Sequence, residues 1–351
     1  MVLAFWLILV FITGASVGSF LNVAIARLPL EKSLLWPNSR CGNCLQSIQW
    51  YDNLPILSYL WLRGRCRMCG QRYSIVYMLV ELGTALAFVG LFWLEIVENR
   101  FDWSGHLPPT FRLMFFPWES ACSFAMHAVL CSFLIVATVC DLKSREIPLQ
   151  LTLTGTLVGL IGSTLMPWPL PNAAAPIFPP PAALPQGMQV WPFWEPLPAW
   201  CGVGGNVQTG LVTGIVGALV GTFLLRAIGF VFSAGLGKEA LGLGDADLMM
   251  MAGAFLGWQL VVVAFFLSVF PALFFGIIQL AVRRDNSLPF GPALSFSVMA
   301  TCLAWKPISG PLRELLFSEV LLFWGVIFCG AMLFIMSFML RLIKGSKEEP
   351  T

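Results

Sequence analysis

Two groups of residues in this 351-residue chain have types and spacings that could do chemistry. The first is a pair of carboxylates at the edges of apolar segments. Asp141 lies in Val139-Cys-Asp-Leu-Lys-Ser-Arg-Glu-Ile-Pro148, and Asp245 lies in Gly242-Leu-Gly-Asp-Ala-Asp-Leu-Met249. An ionisable group inside a membrane segment is expensive, so each is a functional candidate by default. Two carboxylates facing each other, partly desolvated, would share one proton near neutral pH. One could then take a proton from water as it attacks a peptide carbonyl, while the other polarises that carbonyl and later serves the leaving amine. Gly242 and Gly244 would let a substrate backbone come close. On the residues alone, an equal alternative is that both aspartates cap helix ends at the membrane interface, because GxGD is a short pattern.

The second group is Cys41-Gly-Asn-Cys44 and, 21 residues later, Cys66-Arg-Met-Cys69. Two CxxC knuckles offer four thiolates to a tetrahedral zinc, and a segment this small has too little core to fold unaided. Four sulfurs close the metal's shell, so the expected role is structural. Disulfides are the alternative, disfavoured if the insert faces a reducing compartment. The remaining six cysteines show no paired spacing and read as apolar residues. Other hydrolytic chemistries fit less well. There is no HExxH, and the two histidines, His106 and His127, fall in or near a loop and within an apolar run. Gly14-Ala-Ser-Val-Gly18 matches GxSxG but sits in an apolar helix, where it reads as a small-residue packing face.

The elements that must position these groups are membrane helices. The chain is 58% hydrophobic and 11% charged, with a mean hydropathy of +0.82. Soluble domains carry roughly 25% charged residues, so an ordinary soluble fold and nucleic-acid binding are both excluded. Nine apolar segments are expected: 2–26, 74–96, 120–140, 149–166, 207–233, 248–258, 259–282, 292–304 and 318–340. The stretch 248–282 is too long for one helix and should turn near Gly257 and Trp258. The first segment lacks a basic flank and is too long for a secretory signal, so it reads as a transmembrane helix. With the N-terminus outside, 15 of the 20 Lys and Arg residues fall on the inner side, which favours that orientation. Arg226 falls within a span. The stretch 167–206, rich in Pro, Ala and Trp, should be an irregular external loop.

Read together, several blocks resemble one family, the bacterial prepilin peptidases, or type IV leader peptidases, membrane aspartic proteases of the GxGD type. They are Gly18-Ser-Phe-Leu-Asn22 through Arg27-Leu-Pro29, Trp50-Tyr-Asp-Asn53-Leu-Pro55, Leu62-Arg-Gly-Arg-Cys66-Arg and Glu81. The series continues at Asp141 with Ile147-Pro148, at Gly242 to Gly257, and at Leu288-Pro-Phe-Gly-Pro292. The resemblance implies an all-α polytopic membrane protein of about 8–9 transmembrane helices with a small cytoplasmic zinc insert. It implies cleavage of the basic leader of type IV prepilins or type II secretion pseudopilins after a glycine, at the cytoplasmic face of the inner membrane. Asp141 and Asp245 would be the catalytic pair, supported by Gly242 and Gly244. It also implies N-methylation of the new N-terminus with S-adenosylmethionine. The methyl-transfer candidates are Asn22, Arg27, Trp50, Tyr51, Asp52, Asn53 and Glu81, and Cys41, Cys44, Cys66 and Cys69 would hold a structural zinc.

The expected domains are a first transmembrane helix (1–27), the cysteine insert (28–73) and the protease core (74–304) with external loops at 97–119 and 167–206. An extra C-terminal helix and tail (305–351) follow. The chain departs from the family pattern at Asp247, where Lys is usual, which places a third carboxylate two residues from Asp245. Leu149 stands where a polar residue is common. The alternatives kept open are another GxGD intramembrane protease and a non-enzymatic zinc-stabilised transporter or assembly factor.

Overall fold

The computed structural model describes residues 1–100, 113–114, 118–165, 207–236, 242–283 and 290–316, with scattered positions between 324 and 335. The expected loop at 167–206, most of the loop at 97–119 and most of the segment 318–340 lie outside the described residues. The helices are α1 (Val2–Arg27), α2 (Leu57–Leu62), α3 (Val76–Phe92), α4 (Trp118–Ser144), α5 (Leu149–Leu165), α6 (Val207–Leu236), α7 (Leu243–Leu256), α8 (Trp258–Arg283) and α9 (Gly291–Leu316). Among the described residues there is no strand, only the isolated bridges Arg40 to Ser47 and Arg65 to Arg72. Five segments are long and apolar enough to cross a membrane: Val2–Leu30, Val76–Val97, Ser120–Ser144, Gly210–Ala234 and Trp258–Ile278. Leu149–Leu165 and Gly291–Trp305 are shorter apolar helices. The fold is therefore a helical, multi-pass membrane protein, as the composition required.

The chain divides into two compact units, Met1–Leu151 and Thr152–Thr351. In the first, α1 packs on α3, and both touch α4. The buried positions of α1 are Val10, Gly14, Ala15, Gly18, Leu21, Asn22, Ala24 and Ile25, one stripe at helical spacing. Gly14 and Gly18 bring the backbones together. A Cβ at Gly14 would sit 2.8 Å from Ala85 Cα, and one at Gly18 would sit 2.7 Å from Glu81 Cα. The apparent GxSxG is thus a helix-packing face. The chain leaves α4 through Arg145, whose φ of 60° is a left-handed helix stop, and Pro148 precedes α5.

In the second unit, α6 packs tightly on α7, and α8 packs on α9. The expected turn in 248–282 is the break between α7 and α8 at Gly257, whose φ of 77° suits glycine. That break leaves α7 only 14 residues long. It carries the GxGD motif on its first turn and is buried from Ala246 onward at most positions.

Candidate active site and metal centre

The four knuckle cysteines converge. Their Sγ atoms all lie within 4.8 Å of one another, with Cys41 to Cys69 at 3.7 Å and Cys44 to Cys66 at 4.0 Å. A tetrahedron of sulfurs at the usual Zn–S length of about 2.3 Å has edges of about 3.8 Å, so the set fits zinc and is far too open for disulfides. The local sequence explains the convergence, because the two knuckles repeat one backbone plan. Cys41 N–H donates to Gln46 O and Cys66 N–H to Gln71 O, each at 2.9 Å. The fourth residue after each leading cysteine is left-handed: Leu45 has φ 57° and Gly70 has φ 70°. Backbone N–H groups of Cys44 and Asn43 aimed at its sulfur lower the Cys41 thiol to about 6. Cys44 is pushed up to about 11: the Gln46 N–H opposes this, but burial and the neighbouring thiols outweigh it. The N–H of Gln71 and then the Asn43 amide lower Cys69. One edge of the cluster is ready to bind a cation, while Cys44 needs the cation to displace its proton.

Two of the candidates, Arg27 and Glu81, tie the insert to the membrane helices, and a third, Asn22, ties those helices together. Arg27 donates to the carbonyls of Ser33, Leu34 and Pro37 at 3.0, 3.2 and 2.6 Å, fixing the chain where it leaves α1. The Asn22 amide donates to Tyr77 O at 2.9 Å, joining α1 to α3. The Glu81 carboxylate accepts the N–H of Ile56 at 2.7 Å. Ile56 has φ 64°, a costly backbone state for a β-branched residue, and this carboxylate acceptor helps hold it. Within the insert, Asp52 takes a fork of bonds from Arg67 at 2.6 to 3.0 Å, and the Arg67 guanidinium also lies 5.4 Å from the centre of the Tyr51 ring. Pairing with Asp52 raises the proton affinity of Arg67 further. Trp50 packs edge-on against Tyr51 and remains exposed. Trp50 to Asn53 form a short 3₁₀ turn.

Asp141 sits in the last turn of α4 and is buried, 6% exposed. It belongs to the first unit. Asp245 belongs to the second, half-buried as the third residue of α7, where the helix dipole favours negative charge. Its Oδ2 folds back toward the helix start, 3.7 Å from where a Cβ at Gly242 would stand. Asp247 pairs with Arg226 of α6 at 3.4 Å.

A further buried cluster escaped the sequence reading. In the first unit, Glu95 accepts from Ser123 Oγ at 2.9 Å and pairs with His127 Nδ1 at 2.7 Å, and all three side chains are buried. Glu95 lies in a π-turn that extends α3. A carboxylate near the end of the apolar run 74–96 was the available signal, since such a group must find a partner on a neighbouring helix.

Comparison with known proteins bears directly on this architecture. The model described as Bacterial Peptidase A24 N-terminal domain matches residues 12–94, and that of the Type IV leader peptidase family matches residues 193–277. The first spans the α1–α3 packing face and the cysteine insert, and the second contains the GxGD turn. A prepilin leader peptidase/N-methyltransferase of Pectobacterium carotovorum is 31% identical over 83% of this chain and 91% of its own length. The chain belongs to this family. A relative of the same name from Pseudomonas putida is 28% identical over 84% of this chain and 89% of its length. Another from Myxococcus xanthus is 33% identical over 72% of this chain, a match spanning 56% of that protein. No solved structure matches the chain.

Proposed function

We propose that this chain is a prepilin peptidase of the bacterial inner membrane that also methylates its product. It cuts the basic leader of type IV prepilins or type II secretion pseudopilins after a glycine, at the cytoplasmic face. The observation that carries the reading is family membership over 83% of the chain, with the Gly242 to Asp245 turn inside the matched peptidase region. Asp141 and Asp245 form the catalytic pair. One removes a proton from the attacking water, and the other donates to the carbonyl oxygen and then to the leaving amine. The exposed glycine turn at Gly242 leaves space for a substrate backbone beside Asp245. The excess of Lys and Arg in the expected inner loops supports an external N-terminus and an internal cleavage site. A basic leader would remain inside while the substrate's apolar helix lies in the bilayer.

The insert, on this reading, serves the second reaction. Cys41, Cys44, Cys66 and Cys69 would hold zinc, which would supply the fold energy that so small a segment lacks. S-adenosylmethionine would supply the methyl group. The exposed ring of Trp50 beside Tyr51 suits the face of an adenine, while Asp52 through Arg67 and Glu81 through Ile56 hold the surrounding segment. Arg27 acts by holding the start of the segment, and Asn22 by joining the helices on either side of it. Mass spectrometry of a prepilin co-expressed with this protein tests both halves. The expected product starts directly after the leader glycine and carries one added methyl group; an uncut prepilin would overturn the assignment.

A further inference from the structure

Asp247 lies two residues beyond Asp245, and on a helix this places the two Cα atoms about 5.4 Å apart. At a carboxylate separation of about 8 Å and an effective dielectric near 20, an unbalanced negative charge at 247 would raise the proton affinity of its neighbour by about one to two pH units. The second unit provides a balance. Arg226 is the single charged residue in the sequence of α6, and its Nη2 stands 3.4 Å from Asp247 Oδ1. Asp247 is mostly covered, its side chain 13% exposed, while Arg226 is 53% exposed.

The register of this pair is fixed by backbone contact. A Cβ at Gly217 would run into the carbonyl of Gly253, one at Gly253 into that of Gly217, and one at Gly221 into that of Met249. Helices this close cannot slide by a residue without driving a side chain into a backbone. Arg226, one turn further along, is therefore held opposite 247. Among the described residues whose side chains are placed, the other helices of the unit hold no charged residue. The sequences of α5 from Thr152, of α8 up to Val282 and of α9 up to Trp305 contain none, and Cys302 is the one titratable side chain among them.

We propose that Arg226 is a positioning residue for leader cleavage: it offsets the charge of Asp247 beside Asp245 at the start of α7. The proposal rests on Asp245 being catalytic. An arginine in an otherwise apolar helix is costly, and this offset gives it a reason to be there.

The test is the pH dependence of kcat/KM for the full-length protein in detergent, with a peptide spanning a prepilin leader junction as substrate. Arg226→Gln should move the acidic limb up by about one pH unit, and Arg226→Lys should leave it in place. Adding Asp247→Asn to Arg226→Gln should return the limb to its original position. A purely structural Arg226 would lower the rate at every pH without moving the limb, and that result overturns the proposal. Should Arg226→Gln fail to fold, Asp247→Asn alone leaves the guanidinium unbalanced and should move the limb down; an unmoved limb overturns the proposal equally. Asp245→Asn separates the two readings. Surviving cleavage removes the catalytic role of Asp245, whereas lost cleavage with an unmoved Arg226→Gln limb removes only the role of Arg226.

Discussion

Replacing Cys44 with serine removes one of four thiolates whose sulfurs already stand at tetrahedral spacing, 3.7 to 4.0 Å for the two closest pairs. Structural zinc binds such peptides with about 10–16 kcal/mol, so each sulfur contributes about 2.5–4 kcal/mol, and Cys44→Ser should weaken zinc binding about 10²- to 10³-fold. The acid dependence carries a second signature. The Cys41 thiol ionises at about 6, well below the usual thiol value of 9.0, so it is a thiolate above that pH and gives up no proton to zinc there. Below about pH 6 zinc must displace its proton, and affinity should lose a further factor of about ten per pH unit. In the metal-free insert the same depressed value means that the stability contributed by the Cys41 thiolate is fully present above pH 9.0 and is lost as pH falls through 6. The assay is competition against a chromophoric chelator from pH 5 to 8, with metal content and free thiols measured on the full-length protein. A 1:1 zinc stoichiometry and a steepening near pH 6 are expected. A slope constant through pH 6, or zinc fully retained by Cys44→Ser, would refute the reasoning.

Three other outcomes follow from the packing. His127→Ala strips a hydrogen-bond partner from a buried carboxyl group and should cost about 1–3 kcal/mol, read as a fall in thermal stability in detergent; Glu95→Gln, which keeps the shape, should cost less. Gly253→Ala forces a methyl group into the Gly217 carbonyl and should destabilise the second unit by at least about 1–3 kcal/mol, visible as a lower denaturation midpoint. Paired substitution of Cys41 and Cys66 by serine should abolish methyl transfer while sparing part of the leader cleavage; equal loss of both activities would argue that the insert is needed for the peptidase fold as well.

What could be read in the sequence was what is local. The two CxxC knuckles are short-range patterns, and the structure closes them into one site because the same turn plan recurs at Leu45 and Gly70. The break at Gly257 was legible from the length of the apolar run, and the packing role of Gly14 and Gly18 from their four-residue spacing. Long-range partners were not legible. Nothing near Glu95 announces that Ser123 and His127 will meet it, since that depends on how α3 crosses α4. Asp247 looked like a third carboxylate, and Arg226 like a charge stranded in a span, until the glycine contacts of α6 and α7 set their register. The partners of the candidates Asn22 and Arg27 were equally hidden: Asn22 donates to Tyr77 O of α3, and Arg27 to carbonyls where the insert begins. Side-chain type at a family position does not reveal whether a residue reacts or positions.

The most direct measurement is leader cleavage by Asp141→Asn and Asp245→Asn proteins whose zinc content and melting temperature match the parent. Each single change should leave a prepilin uncut, because a shared proton needs both carboxylates. Retained cleavage in either well-folded variant would contradict a mechanism built on this pair.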